Sequence, residues 1–352
     1  MRNLKEIEIM AKSAFQPYKI FGVGKSKEYA QSICDHLGME LSLCEERVFE
    51  DGEFYIKAGD GADGNVRGHQ VFVVHSLYGD DTESVNDKLM KLCIFCGSLK
   101  DASAYEVVAV IPYLAYSRQD RKTSSRAPIT TKYVAKMLEG TGVDRALVFD
   151  IHNLSACQNS FQIPIDNLEA KNLIADWCAR RLIDTMKTKK VRVLSPDSGG
   201  LGRCERFRLS LLKRLNKMGA NLDDIEIVVF DKLRIEGEVR GGRIIGDVED
   251  ADVIAYDDMI STGSTMQKAC VAVAKQKGRM FAICATHGFF CGNANDVFEK
   301  VNCQIVTTDT VDPFRLNEEN SKKLHVISTT KMVADAISRI HSGNGSISQL
   351  LS

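Results

Sequence analysis

The segment Val253-Ile-Ala-Tyr-Asp-Asp-Met-Ile-Ser-Thr-Gly-Ser-Thr265 joins an apolar run to a glycine turn and then to a helical pattern. An apolar strand that passes through such a turn into a helix is typical of a parallel α/β sheet. Ligands of these sheets bind at the carboxyl ends of the strands. We therefore expect ligand-binding or catalytic residues directly after Tyr256.

Two adjacent acids, Asp257 and Asp258, follow the apolar run and would repel each other unless a cation, a polyol or a helix start offsets their charge. Gly263 lets the backbone turn tightly. The N–H groups of that turn, the hydroxyls of Ser264 and Thr265 and the helix N-terminus would together cradle a phosphate. The segment thus predicts a sugar-phosphate site, against the simpler interpretation of a strand end with an Asp cap.

Apolar runs alternate with longer amphipathic stretches along the whole chain, which predicts parallel sheets flanked by helices. Predicted strands cover Tyr18–Val23, Gln70–His75, Val107–Pro112, Ala146–Asp150, Val191–Leu194, Ile225–Phe230, Asp252–Tyr256, Met280–Thr286, Gln304–Thr308 and Leu324–Ser328. Predicted helices cover Ser26–His36, Ser84–Ala102, Ile129–Leu138, Leu168–Met186, Gly202–Lys217, Ser264–Lys277 and Lys331–His341. The series runs twice, and 352 residues at about 150 per domain also suggest two domains.

Composition excludes several classes of protein. The hydrophobic fraction of 44% and the charged fraction of 26% argue against disorder, collagen and coiled coil. A net charge of −1 disfavours a general nucleic-acid binder. No apolar run is long enough for a membrane span, and the first residues lack a signal-peptide core. We therefore expect no nucleic-acid or membrane partner and a cytoplasmic location.

The eleven cysteines show no regular framework and are expected to be free thiols in a reducing compartment. Cys93 and Cys96 form a CxxC, but both fall on the apolar face of a helical pattern. We expect core packing there rather than a metal site, since no second CxxC completes a zinc set.

Other segments place aromatic, charged or glycine residues after apolar runs. In Arg47–Glu53 the ring of Phe49 could stack on a purine while Asp51 or Glu53 accepts its exocyclic amine, although a solvated acidic turn would look similar. In Val110–Arg121 the side chains of Arg118, Gln119 and Arg121 suit a polyphosphate, although a solvated surface or a general anion patch would look similar.

Three more segments carry candidate side chains. Phe149–His152 ends a strand with an imidazole, which is a metal ligand or an ordinary hydrogen-bonded histidine. Leu194–Gly200 holds Asp197 in a loop whose Pro-Asp and Gly-Gly pairs also suit a plain turn. Phe230–Arg234 places Lys232 and Arg234 two residues apart, on one side of an extended chain, or as a solvated pair.

The segment at 253–265 resembles the phosphoribosyl-pyrophosphate loop of the phosphoribosyltransferase fold. The other segments, with Asn65–Gly68, Ile244–Val248 and Ala285–Ala294, resemble the ribose-phosphate pyrophosphokinase family in its order and approximate spacing. The resemblance extends from about Tyr18 to Ser348.

The resemblance implies an α/β fold of two phosphoribosyltransferase-like (type I) domains. These would be residues 16–165, joined by a C-terminal helix at about 330–348, and residues 166–329. It also implies the transfer of the pyrophosphoryl group of ATP to the anomeric hydroxyl of ribose 5-phosphate, giving phosphoribosyl pyrophosphate and AMP. Mg²⁺ would be the cofactor, and dimers would build hexamers.

Roles for individual residues follow from the same resemblance. Catalysis would rest on Lys232 and Arg234, and metal binding on His152 and Asp197. ATP would contact Phe49, Asp51, Glu53, Arg118, Gln119, Arg121 and His152. Ribose 5-phosphate would contact Asp257, Asp258, Ser261, Thr262, Gly263, Ser264 and Thr265.

The chain also departs from the family pattern. Ser261 stands where the family usually has a third acid, the first fifteen or so residues have no clear match, and the stretch from Arg203 to Ile225 is longer than usual. Two alternatives stay open: a non-catalytic regulatory homologue, and a phosphoribosyltransferase that shares only the sugar-phosphate loop. A nucleic-acid module built on Arg118–Arg126 is disfavoured by the net charge.

Overall fold

The computed structural model describes residues 17–186, 190–235 and 238–351, with the backbone alone at 62–63, 232–235 and 238–241. The N-terminal extension noted above lies outside these residues. The chain forms two compact units. Unit 1 ends at Leu168 and resumes at Thr329, and unit 2 runs over Glu169–Ser328.

Unit 1 is built on five parallel strands in the order β1-β4-β5-β6-β7. The strands are β1 (Tyr18–Gly22), β4 (Gln70–Val74), β5 (Glu106–Ile111), β6 (Arg145–Phe149) and β7 (Ile165–Leu168). Every residue of β4 is buried, as expected for a parallel sheet that is covered on both faces. A separate antiparallel hairpin consists of β2 (Cys44–Val48) and β3 (Phe54–Ala58).

The helices of unit 1 are α1 (Lys27–Leu37), α2 (Gly61–Gly64), α3 (Val85–Asp101), α4 (Thr130–Gly140), α5 (Leu154–Ser160) and α11 (Thr330–Ser342). Helix α11 comes from the end of the chain and completes the core of unit 1. Its Val333 and Ile337 are fully buried in one cluster with Ile33 of α1 and Phe72 of β4. Unit 1 therefore depends on two separate stretches of sequence.

Unit 2 holds a seven-stranded sheet in the order β10-β9-β8-β11-β12-β13-β14, parallel except for the pair β9–β10. Its strands are β8 (Val191–Ser195), β9 (Glu226–Ile235), β10 (Glu238–Ile245), β11 (Asp252–Ile260), β12 (Arg279–Gly288), β13 (Gln304–Thr308) and β14 (Leu324–Ile327). Its helices are α6 (Lys171–Thr185), α7 (Leu201–Lys217), α8 (Ser264–Lys275), α9 (Ala294–Glu299) and α10 (Glu318–Ser321).

The expected class, mostly parallel sheets flanked by helices, is confirmed. Several strands run further than the sequence predicts, and β9 and β11 do so by the most. Strand β9 continues to Ile235 because β10 pairs with it, and β11 continues to Ile260 because Asp257 and Ile260 pair with Ala285 and Gly288 of β12. The acid pair therefore lies inside a strand rather than after one.

The prediction that the cysteines are free thiols, with Cys93 and Cys96 packed in the core, is also confirmed. All eleven cysteines lie within the described residues and are free thiols. Cys93 and Cys96 are buried on α3, and burial raises the pKa of both thiols, so they pack as apolar side chains. In the described ranges, no helix combines the length and the apolar character needed to cross a bilayer.

Candidate active site

The acid pair of β11 lies beyond the end of the neighbouring strand. Pairing between β11 and β8 stops at Ala255 and Leu194, so Asp257 and Asp258 extend into the space that follows Ser195. Asp258 is buried, and its amide N–H donates to Oδ1 of Asp257 at 2.9 Å. Two carboxylates are thus enclosed at the carboxyl edge of the sheet.

Arg203, in the first turn of α7, pairs with both acids. Its guanidinium donates to Oδ1 of Asp257 and lies 3.3 Å from Oδ1 of Asp258. Two contacts hold α7 in place: the ring of Phe207 stacks on Tyr256 at 4.2 Å between centroids, and the Cys204 thiol donates to the Tyr256 carbonyl at 3.3 Å. The helix therefore positions Arg203 against the strand that carries the acids.

One cation does not fully offset two enclosed carboxylates. Burial, reinforced by the Asp258 carboxylate, raises the pKa of Asp257 from 3.8 to about 7 despite the contact with Arg203. A group that donates hydrogen bonds, such as a sugar hydroxyl, would stabilise the ionised pair.

A phosphate-sized turn connects β11 to α8. Gly263 has φ +76°, and a Cβ there would lie 2.5 Å from the ring of Phe298, so glycine is required for both reasons. The first turn of α8 contains no acid, and its N-cap residue Gly263 has no side chain to cap it, although the Thr262 hydroxyl accepts the Ser264 amide N–H at 3.4 Å. The hydroxyls of Thr262 and Ser264 lie 3.0 Å apart at this helix start. Helix N-terminal N–H groups and hydroxyls in this arrangement suit a phosphate.

Ser261 begins the turn and is partly exposed. Its carbonyl accepts the amide N–H of Cys291 at 2.9 Å, and the carbonyl of Ile260 accepts that of Phe289 at 2.8 Å. The segment after β12 therefore holds the backbone of the turn, independently of which side chain stands at 261.

Asp197 lies beside this edge, in the loop after β8. Its Oδ1 accepts the amide N–H of Gly200 at 3.2 Å, and its carbonyl accepts the Ser195 hydroxyl at 2.7 Å. A Cβ at Gly200 would lie 2.8 Å from Oγ of Ser195. The loop is thus a fixed turn that leaves Asp197 partly exposed.

The backbones of Lys232 and Arg234 lie in β9, opposite Gly242 and Val239 of β10. The sequence predicts that β9 ends at Phe230, before these residues. The hairpin with β10 extends the strand past them.

In unit 1, two predicted segments meet at the carboxyl edge of the sheet. Arg118, Gln119 and Arg121 are exposed in the loop after β5, and His152 is exposed after β6. The amide of Asn153 donates to Oδ2 of Asp120 at 2.7 Å and so links the two loops. The basic side chains and the imidazole therefore belong to one surface.

The remaining candidates, Phe49, Asp51 and Glu53, form the tip of the hairpin β2–β3. The Phe49 amide donates to the Glu53 carbonyl at 2.7 Å, and the Glu53 amide donates to Oδ1 of Asp51 at 3.0 Å. Phe49 is 47% exposed, and the Arg47 guanidinium lies 5.6 Å from its ring centroid. The tip offers an aromatic face and two carboxylates to solvent.

Sequence reasoning missed Arg203. The stretch after Gly202 also contains Arg206 and Arg208, and nothing in the sequence says which of the three faces the acids. The one usable signal is that Arg203 stands in the first helical turn after the Gly-Gly pair, where a helix start would bring it back to the sheet edge.

Two models of known protein domains match this chain. Residues 18–142 match the N-terminal domain of ribose phosphate pyrophosphokinase, and residues 238–352 match the phosphoribosyl synthetase-associated domain. The ribose-phosphate pyrophosphokinase of Hyphomonas neptunium is 36% identical over 324 residues, which is 92% of this chain and 96% of that protein. This chain belongs to the ribose-phosphate pyrophosphokinase family.

Further relatives agree with this assignment. The ribose-phosphate pyrophosphokinase of Fusobacterium nucleatum is 36% identical over 341 residues, covering 96% of this chain and 98% of that protein. The crystal structure of phosphoribosylpyrophosphate synthetase from Mycobacterium smegmatis matches with a TM-score of 0.78 at 26% identity, covering 94% of this chain and all of that one. The pyrophosphokinase fold thus extends over both units.

Proposed function

We propose that this chain transfers the pyrophosphoryl group of ATP to the anomeric hydroxyl of ribose 5-phosphate, giving phosphoribosyl pyrophosphate and AMP. The observation that carries the proposal is the acid pair Asp257–Asp258, held by Arg203 next to the open N-terminus of α8. This edge offers carboxylates for sugar hydroxyls and N–H groups for a phosphate. Membership of the pyrophosphokinase family supports the same reaction.

In this proposal unit 2 binds the sugar phosphate. Asp257 and Asp258 accept hydrogen bonds from ring hydroxyls. Residues 262–265 donate to the 5-phosphate through backbone N–H groups and through the hydroxyls of Thr262, Ser264 and Thr265. Ser261 adds one neutral donor. Because the turn is fixed before the substrate arrives, binding requires little reorganisation.

The nucleotide contacts come from the residues that the resemblance implies. Phe49, Asp51 and Glu53 would recognise the base, and Arg118, Gln119, Arg121 and His152 would hold the phosphates. The anomeric hydroxyl attacks the β-phosphorus and AMP leaves in line, a transfer that depends on positioning and charge stabilisation. Lys232 and Arg234 would stabilise the developing charge.

Magnesium fits the donors that are present. Within the described part of the chain, no group of three His, Cys, Asp or Glu side chains could hold a metal ion by itself. Mg²⁺ usually binds through one or two carboxylates, retained waters and substrate phosphates. The partly exposed Asp197 suits this mode, and His152 would act through a bound water or directly. The ion would neutralise charge on the phosphate oxygens.

The deciding experiment is incubation with ATP, ribose 5-phosphate and Mg²⁺, with the adenine nucleotides separated afterwards. We expect AMP to form only when all three are present, without accumulation of ADP. ADP as the main product would indicate an ordinary kinase and would exclude the proposal.

A second candidate, a non-catalytic regulatory homologue, is favoured by one observation, the serine at position 261. Such a protein would bind ribose 5-phosphate or a catalytic relative without producing AMP. A phosphoribosyltransferase would instead release pyrophosphate from phosphoribosyl pyrophosphate in the presence of a purine or pyrimidine base.

We also propose a cytoplasmic homo-oligomer in which dimers build a hexamer. Exposed apolar side chains on two helices support a subunit contact. They are Met90 and Ile94, one turn apart on α3, and Tyr133 and Met137, one turn apart on α4. Free thiols throughout the chain suit a reducing compartment. Light scattering on the purified protein would give the number of subunits, and a monomer would contradict the proposal.

A further inference from the structure

A buried group of charges lies behind the hairpin β2–β3 of unit 1. Lys91 of α3 points its Nζ at Oε2 of Glu46 in β2, at 3.2 Å, and also contacts Glu83. The side chains of Lys91 and Glu46 are only 6% and 12% exposed. Ion pairs this well enclosed require close pairing, because an unpaired buried charge is costly.

Glu46 connects the hairpin to a second element. Its Oε1 accepts the amide N–H of Gly24 at 3.0 Å and lies 2.9 Å from Nζ of Lys27, at the start of α1. Burial opposes ionisation of Glu46, but hydrogen bonds from Lys27 and Gly24 keep its pKa below the ordinary value. One carboxylate thus ties β2 to both α1 and α3.

Lys91 also reaches the other strand of the hairpin. Its Nζ lies 5.6 Å from the ring centroid of Phe54, the first residue of β3. Phe54 pairs with Val48, and the tip residues 49–53 lie between these two positions. The pair Glu46–Lys91 therefore touches both strands at the base of the tip.

A two-stranded hairpin is marginal by itself, so its orientation depends on what it packs against. Apolar contacts alone would tolerate a shift along α3. An ion pair with hydrogen bonds to fixed backbone does not, because a small displacement of the hairpin would move the enclosed Glu46 carboxylate away from Lys91 and from the Gly24 amide at once.

We propose that Glu46 and Lys91 are positioning residues for the nucleotide. The pair fixes the hairpin β2–β3 on α1 and α3, so that Phe49, Asp51 and Glu53 meet the adenine base in one orientation. This inference rests on the proposed role of the hairpin tip in ATP binding.

The test compares Lys91→Met with Lys91→Arg in the full chain, using Lys100→Met as the matched control. Lys100 also lies on α3 and pairs with Asp144 at 2.9 Å, but it does not touch the hairpin. Lys91→Met should raise the KM for ATP about tenfold, the loss expected for one well-placed contact. The kcat and the KM for ribose 5-phosphate should change by less than about twofold, and the preference for ATP over GTP should fall.

Lys91→Arg should restore most of the affinity for ATP, and Lys100→Met should leave it unchanged. Glu46→Gln, which keeps the size of the side chain, serves as a second variant if Lys91→Met does not fold. A lower melting temperature with an unchanged KM for ATP and unchanged nucleotide preference would make the pair purely structural and overturn the inference.

Hydrogen exchange separates this inference from the proposed reaction. In Lys91→Met the amides of Phe49, Gly52 and Glu53 should exchange faster than in the wild type, whether or not AMP is produced. Unchanged exchange would overturn the inference even in an active enzyme. If the wild type makes no AMP, the proposed reaction fails, and ATP binding measured by calorimetry on the same variants still decides the positioning role.

Discussion

The raised pKa of Asp257 means that the ionised form of this residue destabilises the folded protein relative to the protonated form. The folded protein holds the Asp257 proton up to a pKa of about 7, whereas the ordinary value is 3.8. Between these values the unfolded chain binds fewer protons than the folded one, so the stability contributed by this group falls as the pH rises from about 4 to about 7.

Asp257→Asn should therefore stabilise the substrate-free protein more at about pH 8 than at about pH 4, because it removes a charge that burial disfavours. The same variant should lose most of its ribose 5-phosphate use. Thermal melts at the two pH values measure the difference, and Asp296→Asn, an exposed acid of α9, is the control. An equal shift at both pH values would contradict the raised pKa.

Substitution of Ser261 distinguishes the proposed enzyme from the non-catalytic regulatory homologue. A neutral hydrogen bond contributes about 0.5–1.5 kcal/mol, so Ser261→Asp should change the KM for ribose 5-phosphate by about tenfold or less. The KM for ATP should stay nearly constant, because the turn backbone is held by Phe289 and Cys291 whichever residue stands at 261. Should the wild type be inactive and Ser261→Asp active, the serine marks a disabled site.

At the scale of elements, sequence patterns predicted most of the longer strands and helices, but not the short β3, β7, α5 and α9, although α9 has an apolar face that buries Ala294, Val297 and Phe298. Helix α7 was expected at Gly202–Lys217 and runs over Leu201–Lys217. The patterns missed β2, because Cys44–Val48 is largely exposed and carries two acids and an arginine, and they missed β10, because it contains two glycines. Such strands form through pairing with a neighbour, and pairing has no local signal.

The parts of the site that lie in one stretch of sequence were predictable, and the contact between distant residues was not. Motif order located the acid pair and the phosphate turn, since their chemistry is local to β11 and α8. The contact of Arg203 with Asp257 spans 54 positions and depends on how α7 packs through Phe207 on Tyr256. The sequence alone gives no measure of that packing.

The turn before α8 is sensitive to substitution at Gly263. Gly263→Ala would cost about 1–2 kcal/mol because alanine disfavours the left-handed backbone conformation of this residue. The new Cβ would also clash with the ring of Phe298. Gly219→Ala is a matched control in the same unit, with φ +92° and no atom within 4 Å of the new Cβ. Urea unfolding should show a larger loss for Gly263→Ala, together with weaker ribose 5-phosphate binding. An equal loss of unfolding free energy in both variants, with unchanged ribose 5-phosphate binding, would show that the ring of Phe298 can move aside and would contradict this prediction.

At the scale of the whole molecule, the two units differ in how the chain builds them. The apolar clusters of unit 2 draw only on residues within Glu169–Ser328. The core of unit 1 needs α11, which arrives only after unit 2 is complete. Tyr29 of α1 also hydrogen-bonds Thr329 at 2.6 Å, and Gln70 contacts His341 at 2.9 Å.

This difference predicts how fragments behave. A fragment of residues 169–328 should melt cooperatively, because its sheet and core are complete. A fragment of residues 17–168 should not, because burial of each large apolar side chain of α11 contributes about 1.5–3 kcal/mol to a domain stability of only about 5–15 kcal/mol. Adding a peptide of residues 329–351 should restore folding, measured by circular dichroism and by binding of the peptide, with an Ile337→Asp peptide as the control. If residues 17–168 melt alone at the temperature of the intact protein, α11 only covers unit 1 and does not complete its core.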